Sequence, residues 1–390
     1  MDTTPLRSID SIDYVARARA IAPLIEAAAP RMEAARELTS DVVEALIEAG
    51  LFQLTLPRAY GGAELPLVPF MEVIETIAGA DGSVAWCLGQ SAGCMTAAAL
   101  VPPDVAREIY CDPRATMAWG PLAKGGRAVK VEGGYRLAGT TQFLSGLHHA
   151  RWVGARVVAV TPDGKPLPEG PRTFLMRREQ VKLEDVWNVA GLRATGSDSI
   201  VLDDIFVPDR HSFLLDAPPR ETGTLYRFVT NTVFAVAFAS VGLGLARATL
   251  DAFRALVAHK APTHWVGVMR DSALVQNQYA MAEAELRSAR AYLREAVRDA
   301  WASAEEGAGP TTEQKVDIRL AATYAIHAAK GVVDFAYQSA GASAIFAANP
   351  FERRFRDMHA VTQQIQASAA QFTNTGQILL GLSPANPRTL

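Results

Sequence analysis

The spacing of apolar residues changes twice along the chain and divides it into three parts. Up to about residue 115, and again from about residue 226, apolar positions recur every three or four residues, which predicts helices. Between these parts apolar and polar positions alternate in short runs, which is typical of strands. We therefore predict an N-terminal helical domain (1–115), a middle β-domain (116–225) and a C-terminal helical bundle (226–390).

The N-terminal part predicts a series of helices. An Ala-rich stretch over 9–30 suits a helix that Pro30 interrupts, because proline lacks the backbone N–H. A further helix begins after an N-capping Ser-Asp pair and ends at Gly50. Two apolar stretches, 68–79 and 84–100, predict helices that an Asp-Gly-Ser turn separates.

The middle part predicts a small antiparallel β-barrel or sandwich, because its short runs are separated by Gly, Pro and Asp turns. The alternating runs are 129–137, 152–160, 172–176 and 199–206. No Gly-x-Gly-x-x-Gly motif follows a strand, and strands do not alternate with helices. A nucleotide-binding domain of the Rossmann type is therefore not predicted.

The C-terminal part predicts an antiparallel four-helix bundle with short connections. Its long helical segments are 228–259, 272–306, 312–339 and 350–380. The clearest turn between them is Gly307–Pro310. Together the three parts predict a mainly α-helical fold with a small β-domain.

Composition narrows the classes of function. The formal net charge of −3 over 390 residues gives no electrostatic reason to bind nucleic acid or an anionic membrane. The most apolar run, 229–250, is interrupted by Asn, Ser, two Gly and Arg, which predicts a buried helix rather than a membrane span. The three Cys show no metal-ligand spacing and indicate free thiols in a reducing cytoplasm. We expect no metal site and no signal peptide.

Five short motifs occur in the order in which the acyl-CoA dehydrogenase superfamily carries them, and the chain resembles that superfamily over nearly its whole length. The motifs are Leu56–Gly62, Asp81–Trp86, Phe143–Gly146, Gly191–Ser197 and Val207–Pro208. The run Ala340–Ile345, followed by Pro350–His359, is similar to the flavin-dependent monooxygenase branch. The resemblance implies an acyl-CoA dehydrogenase-like fold, with the three predicted parts as its domains.

The resemblance also implies a cofactor and partners. Members of this branch use FAD or FMN, and the reduced flavin enters as a co-substrate together with O2 and a small-molecule substrate. A separate flavin reductase supplies the reduced flavin, which fits the missing nucleotide-binding motif. Family members are commonly homotetramers in which helices of neighbouring subunits complete the flavin site. We therefore expect a cytoplasmic homotetramer that binds neither nucleic acid nor a membrane.

Ser145 is the residue that the resemblance predicts to contact the flavin N5. Its small hydroxyl can donate or accept a hydrogen bond, and Gly146 beside it lets a flat ligand approach closely. The other predicted flavin contacts are Trp119 and Leu122 at the ring, Arg193, Thr195 and Ser197 at its polar atoms or phosphate, Arg270 at a neighbouring subunit's pyrophosphate, and Gly341, Ala342 and Ser343 along the nucleotide arm. Turn, core and surface roles are the structural alternatives for these residues.

His359 and Ser145 are the predicted catalytic residues. A neutral histidine could act as a general base near physiological pH, although a structural or surface role is the alternative. Substrate contacts are predicted for Cys94, His148, His149 and Gln364. The chain departs from the branch at Gln364, eight residues after Arg356 of the Arg-Asp motif, where many members carry a His. It also lacks the His that many members carry after the Trp-containing motif.

Three functions fit the sequence. The first is a reduced-flavin-dependent monooxygenase that acts on an aromatic or other small organic substrate. The second is a flavoprotein dehydrogenase of the acyl-CoA type, which needs a carboxylate base and offers only Glu352 near the Pro350 turn. The third is a flavin-binding or scaffold homologue that has lost its base, as Gln364 suggests.

Overall fold

The N-terminal helices surround an internal helix. The computed structural model describes residues 12–263 and 266–384, and its first helices are α1 (Tyr14–Ala35), α2 (Ser40–Glu48), α3 (Leu67–Ala80), α4 (Gly82–Met95) and α5 (Pro103–Tyr110). α4 is buried at every position except Trp86. Asp81 begins α4, because its Oδ1 accepts the backbone N–H groups of Ser83 (2.9 Å) and Val84 (3.1 Å), which have no partner inside the helix.

The prediction that Pro30 interrupts the first helix is wrong. α1 continues through Pro23 and Pro30, and it ends where Arg36 takes a left-handed conformation at φ 61°. A proline inside a helix removes one backbone hydrogen bond. Fully buried side chains on one face of α1, among them Ile25 and Met32, hold the helix against the core in spite of that loss.

The middle part forms a seven-stranded mixed sheet within the described residues. Its strands are β1 (Met117–Val131), β2 (Gly134–Thr141), β3 (Trp152–Val160), β4 (Pro166–Arg177), β5 (Lys182–Glu184), β6 (Ser199–Pro208) and β7 (Ser212–Phe213), in the order β5-β6-β2-β1-β3-β4-β7. All neighbouring strands are antiparallel except β1 and β3, which run parallel. The mainly helical fold with a small β-domain is confirmed, and the parallel pair corrects the purely antiparallel pairing predicted for it.

The parallel pair arises from the segment 142–151, which we call the crossing segment. It leads from the end of β2 to the side of β1 that β2 does not occupy. β3 therefore begins at the end of the sheet where β2 ends, and it runs parallel to β1. The segment 192–198, the facing segment, lies against it. Backbone hydrogen bonds hold the crossing segment in place: Arg151 N to Thr116 O (2.9 Å), Leu144 N to Asp198 O (3.1 Å) and Gly146 N to Thr195 O (2.8 Å).

The C-terminal part is a bundle whose last segment is broken. Its helices are α6 (Thr230–Val257), α7 (Ala273–Glu305), α8 (Thr312–Ala340), α9 (Phe351–Val361) and α10 (Ala369–Leu379). The single fourth helix predicted over 350–380 is two helices joined by a short 3-10 turn at Ile365–Ala367. The side chains of Gln364 and Ser368 accept backbone N–H groups two residues ahead, and such local bonds end one helix and begin the next.

α6 is the apolar helix at the centre of the molecule. It is the one described helix that is long and apolar enough to cross a bilayer, but 83% of its most apolar window is buried inside the protein. It packs against α3, α4 and α8. α6 is therefore the shared core of the helical parts, and Phe234 near its start meets Trp119 of the sheet directly.

Candidate active site

Three hydroxyl groups form a continuous line of hydrogen bonds where the crossing segment meets the facing segment. Trp86 donates its indole N–H to Ser145 Oγ at 2.9 Å. Ser145 Oγ lies 2.7 Å from Ser197 Oγ, which lies 2.7 Å from Thr195 Oγ1. Thr195 Oγ1 then donates to the carbonyl oxygen of Leu192 at 2.8 Å. We call Ser145, Ser197 and Thr195 the hydroxyl line. All three are buried, so each of these bonds is costly to leave unmade.

An aromatic wall begins at the hydroxyl line and follows α6. The ring of Trp86 stacks on Phe238 with centroids 4.0 Å apart, and Phe238 stacks on Phe234 at 5.8 Å. Phe234 meets Trp119 of β1 edge to face at 6.4 Å. Gly93 of α4 faces this wall, and a Cβ there would lie 2.1 Å from the Phe234 ring. Aromatic side chains next to a few directed polar groups are typical of a site for a flat organic molecule.

Two large apolar side chains, one on β1 and one on the crossing segment, are exposed. Leu122 is 47% exposed and Phe143 is 58% exposed, although each is large and apolar. Phe143 and Leu192 also have left-handed backbone conformations, at φ 61° and 51°, which non-glycine residues rarely adopt. Exposed apolar surface and backbone strain are both features of ligand sites. The predicted ring contact Leu122 therefore lies on a surface that a flat ligand could cover.

Arg193, in the facing segment, has one buried N–H group, at Nε, without a hydrogen-bond acceptor among the described residues. Its Nη1 donates to Val189 O at 3.2 Å, and its nearest carboxylate, that of Glu33, lies 3.9 Å from Nε. The buried Nε has no hydrogen-bond partner among the described residues. An unpaired buried guanidinium N–H fits an anionic or carbonyl group of a bound ligand.

The two predicted substrate histidines have different surroundings. His148 lies between two carboxylates, with Nδ1 2.8 Å from Glu37 and Nε2 2.7 Å from Asp198, so it fastens the crossing segment to its neighbours. His149 lies behind Gly146. Burial, reinforced by His148, lowers the pKa of His149 to about 4, so this ring is neutral at physiological pH.

The Asp of the Arg-Asp motif attaches α9 to the facing segment. Asp357 is 3% exposed, and its Oδ1 accepts the backbone N–H of Leu192 at 2.6 Å. Asp81 is also buried nearby, and burial raises the pKa of both carboxyls. At Gly191 a Cβ would lie 2.0 Å from the carbonyl oxygen of Arg356, so only glycine allows this approach.

The turn between α9 and α10 reaches the other end of the aromatic wall. Gln364 accepts the N–H of Gln366 at 2.7 Å, and its buried Nε2 has no partner within the described part of the chain. Gln366 accepts a bond from the buried Arg319 of α8 and donates to Asn231 at 2.8 Å. Asn231 is three residues before Phe234 on α6. The predicted substrate contact Gln364 is thus joined to the wall through two amide side chains.

The predicted bases on α9 have other partners. His359 Nε2 lies 2.9 Å from Asp334 Oδ1, and its ring lies 4.2 Å from that of Phe355. Both carboxylate oxygens of Glu352 accept from Arg356, at 2.8 and 3.1 Å. Among the contacts of the described residues, neither side chain reaches the hydroxyl line.

The remaining predicted residues lie apart from the hydroxyl line within this chain. Cys94 is fully buried, and burial raises the pKa of its thiol. Arg270 is exposed, 3.8 Å from Asp271. Gly341, Ala342 and Ser343 form the turn after α8, where Lys260 donates to Ser343 Oγ at 3.0 Å.

Comparison with known families agrees with this geometry. The acyl-CoA dehydrogenase N-terminal domain matches residues 15–108, and the acyl-CoA dehydrogenase C-terminal domain matches residues 236–369. The chain belongs to the acyl-CoA dehydrogenase superfamily. These matches, together with the sheet between them, confirm the acyl-CoA dehydrogenase-like fold.

Relatives within the superfamily identify the branch. The chain is 29% identical over 349 residues to an indole-3-acetate monooxygenase of Pseudomonas putida, covering 90% of this chain and 89% of that one. It is 27% identical over 401 residues to the oxygenase component of an FADH2-dependent resorcinol hydroxylase of a Rhizobium species, covering 97% of both. The crystal structure of 3-HSA hydroxylase from Rhodococcus sp. RHA1 matches with a TM-score of 0.90 at 25% identity, covering 98% of this chain and 100% of that one. The chain is a flavin-dependent oxidoreductase of the monooxygenase branch.

The sequence did not reveal several residues that shape the site. Trp86 and Asp357 lie inside motifs that carry the resemblance, but nothing in their spacing shows that they bond to Ser145 and Leu192. Phe234 and Phe238 are four residues apart, and this helical spacing of two aromatics could have indicated a shared face.

Proposed function

We propose that this chain is the oxygenase component of a two-component monooxygenase that uses reduced FMN or FAD from a separate flavin reductase, and O2, to oxygenate a small aromatic substrate. The observation that carries the proposal is the buried hydroxyl of Ser145, which accepts the indole N–H of Trp86 and so joins the aromatic wall to the crossing segment that carries the exposed Phe143. The names of the relatives, an indole-3-acetate monooxygenase and a resorcinol hydroxylase, support an aromatic substrate.

The residues at this junction fit a flavin. Ser145 and Ser197 offer polar contacts for the edge of the ring, and Leu122 offers an apolar surface for its face. The unpaired Nε of Arg193 offers a donor for a flavin oxygen or phosphate. The bound flavin would supply the redox chemistry and the activation of oxygen.

The chain's own part in the reaction would be to position the reactants and to exclude water. Trp86, Phe234 and Phe238 present apolar surface that would orient a flat substrate and keep water out. His149 is neutral at physiological pH, so it could accept a proton or a hydrogen bond rather than release a proton. At the far end of the wall, the free Nε2 of Gln364 could donate to a polar group of the substrate.

The alternative function, an acyl-CoA dehydrogenase, lacks support because its candidate catalytic carboxylate is not free. That reaction needs a carboxylate that is free to remove a proton. Glu352, the sequence-based candidate, is held by Arg356 through two hydrogen bonds. We therefore do not propose it.

We also propose that the protein works in the cytoplasm as a homotetramer, as the family resemblance implies. Exposed apolar residues near the ends of α8 and α10 support assembly, because monomers rarely leave such side chains uncovered in groups. They are Ile345, Phe346, Leu379 and Leu380. Light scattering after size-exclusion chromatography tests the subunit number, and a monomer at micromolar concentration would contradict the proposal.

Isotope labelling tests the proposed reaction. The protein is combined with a flavin reductase, NADH, FMN or FAD, and indole-3-acetate or resorcinol under 18O2. One 18O atom per product molecule is expected. Ser145→Ala should lower kcat/KM roughly tenfold or more, the equivalent of one lost hydrogen bond in a buried site. Ser240→Ala is the matched control, because this buried serine bonds only to Val236 of its own helix. Unlabelled products, or equal activity of both variants, would contradict the proposal.

A further inference from the structure

The hydroxyl line has a direction, because its two ends are chemically different. The Trp86 indole N–H at one end can only donate, and the Leu192 carbonyl at the other end can only accept. Each of the three hydroxyls between them has one hydrogen to donate and two lone pairs to accept with. The contacts are 2.7 to 2.9 Å long, so all four have hydrogen-bond geometry.

With Thr195 donating to Leu192 O, counting hydrogens assigns a role to each hydroxyl. Thr195 uses its hydrogen on Leu192 O, so the bond between Thr195 and Ser197 must be donated by Ser197. The bond between Ser197 and Ser145 must then be donated by Ser145. Of the two lone pairs on Ser145 Oγ, one accepts from Trp86 and the other is left for a ligand. Ser145 therefore offers a ligand an acceptor and not a donor.

We propose that Thr195 and Ser197 are positioning residues that hold the Ser145 hydroxyl as an acceptor, so that the site selects reduced over oxidised flavin. The proposal rests on the proposed function and on the sequence-based prediction that Ser145 contacts the flavin N5. The N5 atom of a reduced flavin carries a hydrogen and can donate to Ser145. The N5 atom of an oxidised flavin has only a lone pair, which cannot bond to a second lone pair.

The alternative direction costs one hydrogen bond. If Ser145 donated to an oxidised flavin, Ser197 would have to donate to Ser145, and Thr195 to Ser197. Leu192 O would then lose the hydroxyl hydrogen of Thr195, although it would keep the indole N–H of Trp187 (3.0 Å) and the backbone N–H of Thr195 (3.2 Å). The Trp86 bond is the same in both directions, so the terminal carbonyl sets the preference. One net hydrogen bond corresponds to a preference of about three- to tenfold for the reduced flavin.

Two substitutions abolish the fixed donor order of the hydroxyl line but keep the hydroxyl of Ser145. Thr195→Val keeps the shape of the side chain but deletes its hydroxyl, so Ser197 is free to donate to Ser145. Ser197→Ala deletes the acceptor of Ser145, whose hydrogen then becomes available to the ligand. Thr195→Ser restores the hydroxyl and should restore the direction. Thr249→Val is the matched control, because this buried threonine bonds to Leu245 within α6.

The test measures, for each full-length variant, the dissociation constants of the oxidised and of the reduced flavin, and takes their ratio. The flavin used is FMN or FAD, whichever binds the wild-type protein more tightly. The oxidised flavin is titrated by fluorescence quenching, and the reduced flavin is titrated without oxygen. We expect Thr195→Val and Ser197→Ala to lower the ratio of oxidised to reduced dissociation constants about three- to tenfold, with Thr195→Ser and Thr249→Val like wild type. A merely structural role would weaken both redox states equally and leave the ratio unchanged.

The outcomes separate this proposal from the proposed function. Flavin binding with a ratio that neither Thr195→Val nor Ser197→Ala changes would overturn the positioning role alone. No flavin binding by wild type in either redox state would overturn the proposed function, and this inference with it. Should Thr195→Val fail to fold, Ser197→Ala decides by itself, because its serine lies on an irregular segment and loses only one oxygen atom.

Discussion

Replacing Asp357 by Asn should make the protein clearly more stable in mild alkali and only slightly more stable in mild acid. Asp357 is buried and close to Asp81, and burial followed by the Asp81 charge raises the pKa of Asp357 to about 7. In the unfolded chain an aspartate ionises near pH 3.9, an approximate reference value. Between these two pH values, the folded protein therefore keeps a proton on Asp357 that the unfolded chain has already lost.

The sign of the pH effect follows from this difference. The contribution of Asp357 to stability is complete below about pH 4 and is lost as the pH rises through about 7. A pKa difference of about three units, at 1.36 kcal/mol each, limits the loss in the free energy of unfolding to roughly 4 kcal/mol. The charges of Arg353 and Arg356 already lower this pKa, so we expect a loss that approaches the ceiling. Asn keeps an oxygen for the Leu192 N–H but carries no charge, so Asp357→Asn should avoid this loss.

Urea unfolding at pH 5 and at pH 8.5 measures the effect. The variant should unfold at a slightly higher urea concentration than wild type at pH 5, where about a third of the loss has occurred, and at a clearly higher one at pH 8.5. Asp163→Asn is the control, because Asp163 is exposed in a turn and its pKa is lowered by Thr161 and Lys165. The same wild-type-to-variant difference at both pH values would refute the buried-carboxylate reasoning, and so would an equal response of the control.

Further predictions concern the wall and the bundle. Gly93→Ala should lower the free energy of unfolding by about 1–3 kcal/mol, because the new methyl would lie 2.1 Å from Phe234; unchanged thermal unfolding would contradict this. Arg319→Met should leave the urea midpoint unchanged or raise it, because the buried guanidinium has no carboxylate partner among the described residues, and a lower midpoint would count against that. His359→Ala should keep turnover within about twofold, since Asp334 holds the ring; a loss of about 100-fold would restore His359 as the general base.

The helices were predictable because their apolar faces repeat locally. Three of the four predicted bundle segments agree with α6, α7 and α8 to within two residues at each end. The departures occur where side chains act against the pattern. Buried contacts carry α1 through Pro30, and the Gln364 side chain ends the last segment early.

The parallel strand pair could not be predicted, because it depends on the side of β1 that the third strand joins. Alternation of apolar residues gives the faces of a strand but not its neighbours. The site shows the same limit. The resemblance indicated Ser145, Thr195 and Ser197, and the structure brings them together. It could not indicate that a backbone carbonyl, that of Leu192, ends their line, because every residue has one.

Leu192 is attached at both of its polar backbone groups, and this makes it a joint between distant parts of the chain. Its N–H is held by Asp357 on α9, while its carbonyl receives Thr195. A slip of α9 by about half an ångström is enough to weaken such bonds. Loosening of the last helices by heat would therefore weaken the proposed redox preference at Ser145 well before the protein unfolds.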